Sequence, residues 1–325
     1  MKNMNKLTIV IPIYNVERYI ERGMESIVRQ ENFSELNIIL IDDGSEDESY
    51  TKCIKYIEEY DNIKYVKKKN GGVSSARNYG INNTVTKYIC FFDPDDEVEK
   101  NYYKNLLNII ENKSVDLVST NFSLKFTDNI VRYKLNKCEL EISKKDEIIR
   151  NFLSGGKFAN NLFNKIYSTD IAKKVMFDEN ITIGEDMLFN YNYLKKCNKI
   201  YIDNRINGYI YYKNEQSAMN TMFNLKFFDT LDVSKRITEM EEDTVNYRYA
   251  LAHEQHERCK LLEYMIIKNG KEKYIDKWQE EYKKLKKYNI LKNIKNLSNR
   301  QILGIILMKI SPKLYVSIYK IMRVG

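Results

Sequence analysis

The first hundred residues alternate between two kinds of apolar pattern. Leu7-Thr8-Ile9-Val10-Ile11, Asn37–Ile41 and Tyr88–Phe92 are continuous runs rich in β-branched or aromatic residues, and Ile63–Val66 is a shorter one. Such runs, without polar alternation, predict strands covered on both faces. Between them Val16, Tyr19, Ile20, Met24, Ile27 and Val28 fall at helical spacing, and Cys53, Ile54 and Ile57 mark the inner face of a helix over about 47–60. Pro12 is expected to end the first strand. Asn15 is expected to cap the first helix, and Ser74 a third helix running through Asn82. Strand and helix alternating through short loops predict right-handed crossovers and a parallel α/β sheet.

Farther along, the spacing predicts a helix over Val98–Ile110, a strand over Asp116–Phe122, strands or a hairpin over 123–142 and a helix over 142–153. Asn161–Tyr167 is expected to return to the sheet. Met187, Leu188, Tyr191 and Leu194 predict a helix opening at Gly184-Glu185-Asp186. Ile200–Ile202 and Tyr209–Tyr212 read as short strands. Near residue 220 the character changes. Helices are expected over Tyr247–Lys268, Glu272–Tyr288 and Arg300–Met322, the last broken or kinked by Pro312. The chain therefore divides into residues 1–220 and a helical region, 221–325. The apolar, lysine-punctuated last helix suits packing on its own domain, on a second copy in a homo-oligomer, or on an anionic membrane surface.

The chain has 325 residues, 43% of them hydrophobic, with 12 Gly and 3 Pro, which allows a sizeable core and argues against long disordered stretches. The five cysteines are scattered, odd in number and form no CxxC pair, which suits reduced thiols in a cytosolic setting. His253 and His256 are the only histidines and are expected on a helix surface, so a His/Cys zinc site is not expected. Neither a signal peptide nor a spanning run is found, which points to a cytoplasmic protein, soluble or peripheral on the inner face of the plasma membrane. A net charge of +8 calls for an acidic partner such as a nucleotide, a phospholipid surface or an anionic polymer.

The candidate chemistry centres on Phe91-Phe92-Asp93-Pro94-Asp95-Asp96, where an apolar run stops in three carboxylates within four residues. Their repulsion must be offset by a cation or by hydrogen bonds. They form either a divalent-metal site or an Asp-rich turn. In a parallel sheet, ligands bind beyond the carboxyl ends of the strands. Pro12-Ile13-Tyr14-Asn15, Asp42-Asp43-Gly44-Ser45 and Asp93–Asp96 all fall on that rim. With no GxGxxG after the first strand and no GxxxxGK[ST], the phosphates of a nucleotide need another counter-charge; a metal on Asp93/Asp95 would supply one and Arg77 another. Glu185 and Asp186 open a helix. They are either a charge–dipole pairing worth about 0.3–1 kcal/mol or a general base held ionised by the same dipole.

Pro12-Ile13-Tyr14-Asn15, Asp42-Asp43-Gly44-Ser45, Asn70–Asn78, the Asp-x-Asp of Asp93-Pro94-Asp95 and Gly184-Glu185-Asp186, in that order, strongly resemble the family 2 glycosyltransferases of bacterial surface-polysaccharide type. The resemblance covers about residues 5–218. It implies an inverting, metal-dependent hexosyltransferase of GT-A fold, a Rossmann-like, mostly parallel sheet flanked by helices, here with a helical C-terminal extension. It implies a UDP-sugar donor with Mn²⁺ or Mg²⁺, and a glycan or lipid-linked glycan acceptor; nucleic acid is not an implied partner. Pro12, Tyr14 and Asn15 would belong to the base pocket, and Asp43 would accept from the uracil imide. Asp42 would support the loop or the ribose. Asn70, Gly71 and Arg77 would lie near base and diphosphate. Asp93 would meet the ribose or a metal water, and Asp95 the metal. Asp186 would be the general base, with Glu185 orienting it or binding the acceptor. Asn164, Lys165, Tyr212 and Ser217 would face the acceptor or close over the donor phosphates.

Two other readings predict different behaviour. A nucleotidyltransferase also sets carboxylates at strand ends, but it wants a Gly-rich basic loop where Pro12–Asn15 stands. A membrane-associated scaffold with a degenerate transferase domain would use the basic helices alone.

Overall fold

The protein is described by a computed structural model covering residues 5–126, 129–132, 135, 137–155, 157–213, 222–293, 295, 297 and 299–324. Two compact units divide the chain, one from residues 1–148 and 156–213, the other from 149–155 and 214–325. The first unit opens with strict alternation: β1 (Leu7–Ile13), α1 (Ile20–Val28), β2 (Leu36–Asp42), α2 (Ser49–Glu59), β3 (Ile63–Lys67), α3 (Val73–Asn83) and β4 (Tyr88–Phe91). The four strands pair in parallel in the order β3-β2-β1-β4. Every residue of β1 is buried, as a strand covered on both faces requires.

The chain continues through β5 (Glu97–Val98), α4 (Tyr102–Lys113), β6 (Leu117–Thr120), β7 (Ser123–Lys125), β8 (Ile130–Arg132), β9 (Glu139–Ile142) and α5 (Lys145–Ser154). It then forms β10 (Lys165–Ser168), α6 (Thr169–Ala172), α7 (Glu185–Lys196), β11 (Ile200–Asp203) and β12 (Tyr209–Tyr212). β10 inserts antiparallel between β4 and β6, β11 runs parallel to β6, and β9 closes the edge, giving eight strands in the order β3-β2-β1-β4-β10-β6-β11-β9. A second sheet, β5-β12-β7-β8, holds the β7–β8 hairpin and pairs β12 with β5. The expected mostly parallel α/β architecture is the one observed.

Several local expectations are corrected. Pro12 does not end β1; it pairs in register with Ile41. Val10 O accepts from Phe92 N–H, so the nitrogen of Pro12, two residues on, faces β4 beyond that strand's last paired residue, where a missing donor costs nothing. Asn15 does not cap α1, which starts at Ile20. With φ 51°, its Oδ1 instead accepts from Glu46 N–H at 3.0 Å. Ser74 lies inside α3, whose cap is Gly72. Val98 belongs to β5, and α4 begins only at Tyr102. His253 is buried, not a surface group.

The second unit holds α8 (Asp229–Met240), α9 (Tyr247–Ile267), α10 (Gly270–Lys273), α11 (Ile275–Lys287), α12 (Ile290–Asn293), α13 (Asn299–Ile310) and α14 (Pro312–Val324). α9 is the central helix, packed against α8, α11, α13 and α14. It buries polar groups along with apolar ones. Arg258 donates to Glu281 and Glu254 at 2.7 and 2.8 Å and also to Gln255, which compensates the charges taken from water. Pro312 occupies the first position of α14, where its missing N–H is harmless. No helix among the described residues is long and apolar enough to cross a membrane.

Candidate active site

Loops at the carboxyl ends of β1, β2 and β4 are stitched together by their own polar side chains. The N–H groups of Asn15, Val16 and Glu17 donate to Ser45 Oγ, Ser49 Oγ and Asp47 Oδ2 at 2.9–3.1 Å, so the β1 loop is fastened to the loop after β2. Asp42 is fully buried. It accepts from Ser45 N–H at 2.7 Å and from the Tyr65 hydroxyl. Asp43 accepts from Lys68 Nζ at 2.6 Å and from the N–H groups of Gly71 and Gly72 at 3.0 and 2.7 Å. Its carboxylate therefore satisfies free donors at the start of α3 and fixes the turn that puts Asn70 and Gly72, but not Gly71, on the wall of a cleft.

These loops enclose a cleft of about 430 Å³. The end of β1 contributes Pro12 and the loop after it a half-exposed Tyr14; Asp43 contributes from the loop after β2, Asn70 and Gly72 from the turn before α3, and Asp93, Pro94 and Asp95 from the β4 loop. Asn15 stands outside the cleft lining and serves the loop instead. α1 comes very close to the β4 loop at Gly23, where an added Cβ would stand 2.6 Å from Pro94 O. Arg22, one residue earlier, donates to Asp95 O and stacks 3.5 Å from the Tyr212 ring centroid.

The three carboxylates of the β4 loop have separate fates. Asp96 is fully buried, accepting from the Tyr209 hydroxyl and from Tyr212 N–H at 2.8 Å each. Burial first, then the charges of Asp95 and Asp93, push its carboxyl well above the usual range. Asp95 lines the cleft. Asp93 also lines it, and its Oδ1 lies 3.4 Å from the Arg77 guanidinium, a long contact.

Arg77 is the hub of the site. Reaching from α3, its guanidinium contacts Glu185 Oε1 at 3.1 Å and Asp186 Oδ1 at 2.9 Å as well as Asp93, so it joins the β4 loop to the first turn of α7. Gly184 caps that turn at φ 95°, a conformation that favours glycine, and so places both acids at the helix start. Beneath the guanidinium lies an aromatic shelf. Phe177 sits 5.6 Å from it and stacks on Phe189 at 4.1 Å. One guanidinium faces three acids. Burial pushes the Asp186 carboxyl well above the usual range, and the charges of Glu185 and Asp93 add to this against the opposing pull of Arg77. The Asp186 side chain keeps 30% of its exposure, which leaves it open to a reactant.

The remaining expected residues lie elsewhere. Asn164 and Lys165 are completely buried and do not face the cleft. Lys165 Nζ donates to Ala159 O and Asn164 Oδ1 at 2.8 Å and to Asn161 O, and burial holds it well below the usual lysine range. Asn164 donates to Thr120 O. Both act as struts for the entry into β10. Tyr212 donates its hydroxyl to Glu97 at 2.7 Å, tying β12 to β5. Ser217 lies outside the described residues. Lys68, Arg22 and Tyr209 were not anticipated. Nothing in the run Lys67-Lys68-Lys69 distinguishes the lysine that pairs with Asp43.

Among the described residues no group of three or more His, Cys, Asp or Glu side chains is arranged to hold a metal ion; the three acids around Arg77 are held by its guanidinium. A Mg²⁺-like ion bound by one or two carboxylates completes its shell with water and phosphate oxygens. Asp93 and Asp95, both on the cleft wall, fit such a shared site.

Taken together, the mostly parallel sheet and its polar rim define an α/β protein with a cleft at the carboxyl edge of β1, β2 and β4, where sheets of this kind bind ligands. The chain belongs to glycosyl transferase family 2, whose family profile matches residues 8–177. Among its relatives is the minor teichoic acid biosynthesis protein GgaB of Bacillus subtilis (strain 168). It is 36% identical over 185 residues, 55% of this chain and 20% of GgaB. The teichoic acid poly(glycerol phosphate) polymerase of Staphylococcus epidermidis is 31% identical over 202 residues, 60% of this chain and 27% of the polymerase. The chain thus spans only a minor part of either relative. Residues 1–349 of S. aureus TarS, solved in complex with UDP-GlcNAc, superpose with a TM-score of 0.64 at 19% identity, covering 97% of this chain and 91% of that one. At that identity the likeness establishes the fold.

Proposed function

We propose that this chain is an inverting glycosyltransferase that moves a sugar from a UDP-sugar to a hydroxyl of a cell-surface glycan or its lipid-linked precursor, at the cytoplasmic face of the membrane. The observation that carries the reading is the cleft itself. An aromatic ring (Tyr14), a cap-held loop (Asn70–Gly72) and two carboxylates (Asp93, Asp95) share one wall system, and Arg77 links it to Asp186. The teichoic acid relatives and the UDP-GlcNAc complex of TarS support the acceptor and donor classes.

Residues 1–220 serve as the catalytic domain in this reading. Pro12 and Tyr14 receive the uracil face, and Asp43 stands at its imide edge. Asp95, with Asp93, would hold Mn²⁺ or Mg²⁺, which when bound neutralises the charge growing on the departing diphosphate. Asp186, oriented by Arg77 and Glu185, takes the proton of the attacking hydroxyl. A raised carboxyl is the better base near neutrality, and such a base contributes about 10²–10⁴-fold. A thermal-shift panel of nucleotide sugars, with and without Mn²⁺, tests the donor class. UDP-sugars are expected to raise the melting temperature, and more so with the ion. Asp95→Ala is expected to abolish the ion-dependent part alone. A panel in which no uridine nucleotide shifts the transition refutes the reading.

A further inference from the structure

The C-terminal helices carry two features that the transferase reading does not use. The first is charge. From Tyr282 to Gly325 the sequence contains eleven lysines and arginines and no acid, so with +8 overall, residues 1–281 carry −3. The second is an uncovered apolar stripe. α13 presents Ile305 and Met308 inward, fully buried. On its other side Leu303, Ile306 and Ile310 are 46, 37 and 70% exposed, and Leu314, in α14, continues the series at 46%. Positions 303, 306 and 310 fall on one helix face. A helix apolar on both sides has buried one of them and left the other to meet something else.

The lysines lie close to one end of that stripe. Lys309 Nζ donates to Tyr288 O at 2.8 Å, and the Tyr282 hydroxyl donates to Lys309 O at 3.2 Å. The C-terminal part of α11, with the exposed Lys283, Lys286 and Lys287, is thereby tied to the end of α13 that carries Ile310. Glu280 and Glu281 pair with Lys284, and no acid follows them in the sequence, so Lys283, Lys286 and Lys287 outnumber the acids beside the stripe. An apolar stripe bordered by such an excess of cations matches an anionic bilayer, with acyl chains beneath the stripe and headgroup phosphates at its edge. A second copy of the chain would bring the same unrelieved positive charge against itself. Nucleic acid would leave the stripe uncovered.

We infer that α13 and the start of α14 form an interfacial docking face for an anionic membrane, with Leu303, Ile306 and Ile310 entering the headgroup boundary. This assignment does not rest on the transferase reading, because docking can be measured without donor or acceptor. The experiment floats the full chain with vesicles of phosphatidylcholine alone or with added phosphatidylglycerol, at low and high salt. Binding is expected only to the anionic vesicles, weakened by salt. The double variant Ile306→Glu/Ile310→Glu is expected to lose it. Lys283→Ala, Lys286→Ala and Lys287→Ala are each expected to cost roughly five-fold in partitioning. Because these side chains are exposed, an unchanged melting temperature checks that each variant is folded. Equal binding to neutral vesicles, no binding at low salt, or undiminished binding by the folded double variant overturns the inference. So does self-association in solution that the double variant abolishes, which would make the stripe a contact between copies.

Discussion

At the scale of the residue, the site depends on how one guanidinium divides itself. Arg77 holds Asp93 by a long contact and Asp186 by a short one, so it is committed to α7 more than to the β4 loop. Asp186→Asn keeps an oxygen for that contact and removes one like charge from an over-acidic cluster. It is expected to cut transfer by about 10²–10⁴-fold, to preserve UDP binding, and to leave the melting temperature unchanged or higher. Parallel turnover, titration and melting measurements check this; retained turnover would move the base elsewhere. The acidic residues themselves were legible in the sequence because charge at the end of an apolar run is conspicuous. Their division of labour was not. Nothing in Asp93-Pro94-Asp95-Asp96 tells which carboxylate will be buried, since that depends on Tyr209 and Tyr212, more than a hundred positions away. Lys165 misled for the opposite reason. Its three acceptors are local backbone oxygens and an amide, visible only once the chain around Asn161 has folded.

At the scale of the element, strands and long helices could be read from periodicity because burial on both faces or one stripe leaves a plain imprint, as in β1, β2 and α7. Helix starts were less legible. Asn15 and Ser74 have the chemistry of caps, but Asn15 serves a neighbouring loop, and α3 takes its cap from Gly72 with help from Asp43. The approach of α1 to the β4 loop depends on Gly23. In Gly23→Ala the helix gains about 1 kcal/mol in propensity, but overpacking against Pro94 O costs about 1–3 kcal/mol. A lower melting temperature and weaker ion-dependent UDP binding are expected; a rise in melting temperature would contradict the packing argument. In the second unit, His253 on α9 lies 3.4 Å from Ser234 Oγ of α8, with Glu257, Glu254 and Lys260 nearby. Burial holds its pKa below the ordinary value despite the two acids. A depressed histidine contributes stability that is full above the unfolded value, about 6.5, and is lost as pH falls below it. Denaturant unfolding at pH 7.5 and 5.5 is expected to show lower stability at the acid value, and His253→Gln a smaller difference.

At the scale of the molecule, the composition concealed an asymmetry. A chain of +8 looks evenly basic, but its net positive charge comes from the last 44 residues, beyond a slightly acidic remainder. The average could not disclose this, nor could the hydrophobic spacing of α13 show which of its two apolar sides would be covered. One phenol in the first unit has a similarly wide reach. Tyr209 belongs to the smaller sheet, yet its hydroxyl accepts from Asp93 N–H and donates to Asp96, while Tyr212 N–H on the same strand donates to Asp96. Whatever enters the cleft and tightens the acidic loop must therefore slow deuterium uptake at the Tyr212 amide, a sensor wired in through a neighbouring sheet. A Tyr209→Phe chain keeps the bond from the Tyr212 amide to Asp96 and loses the phenol's link to Asp93, so the slowing should shrink without vanishing.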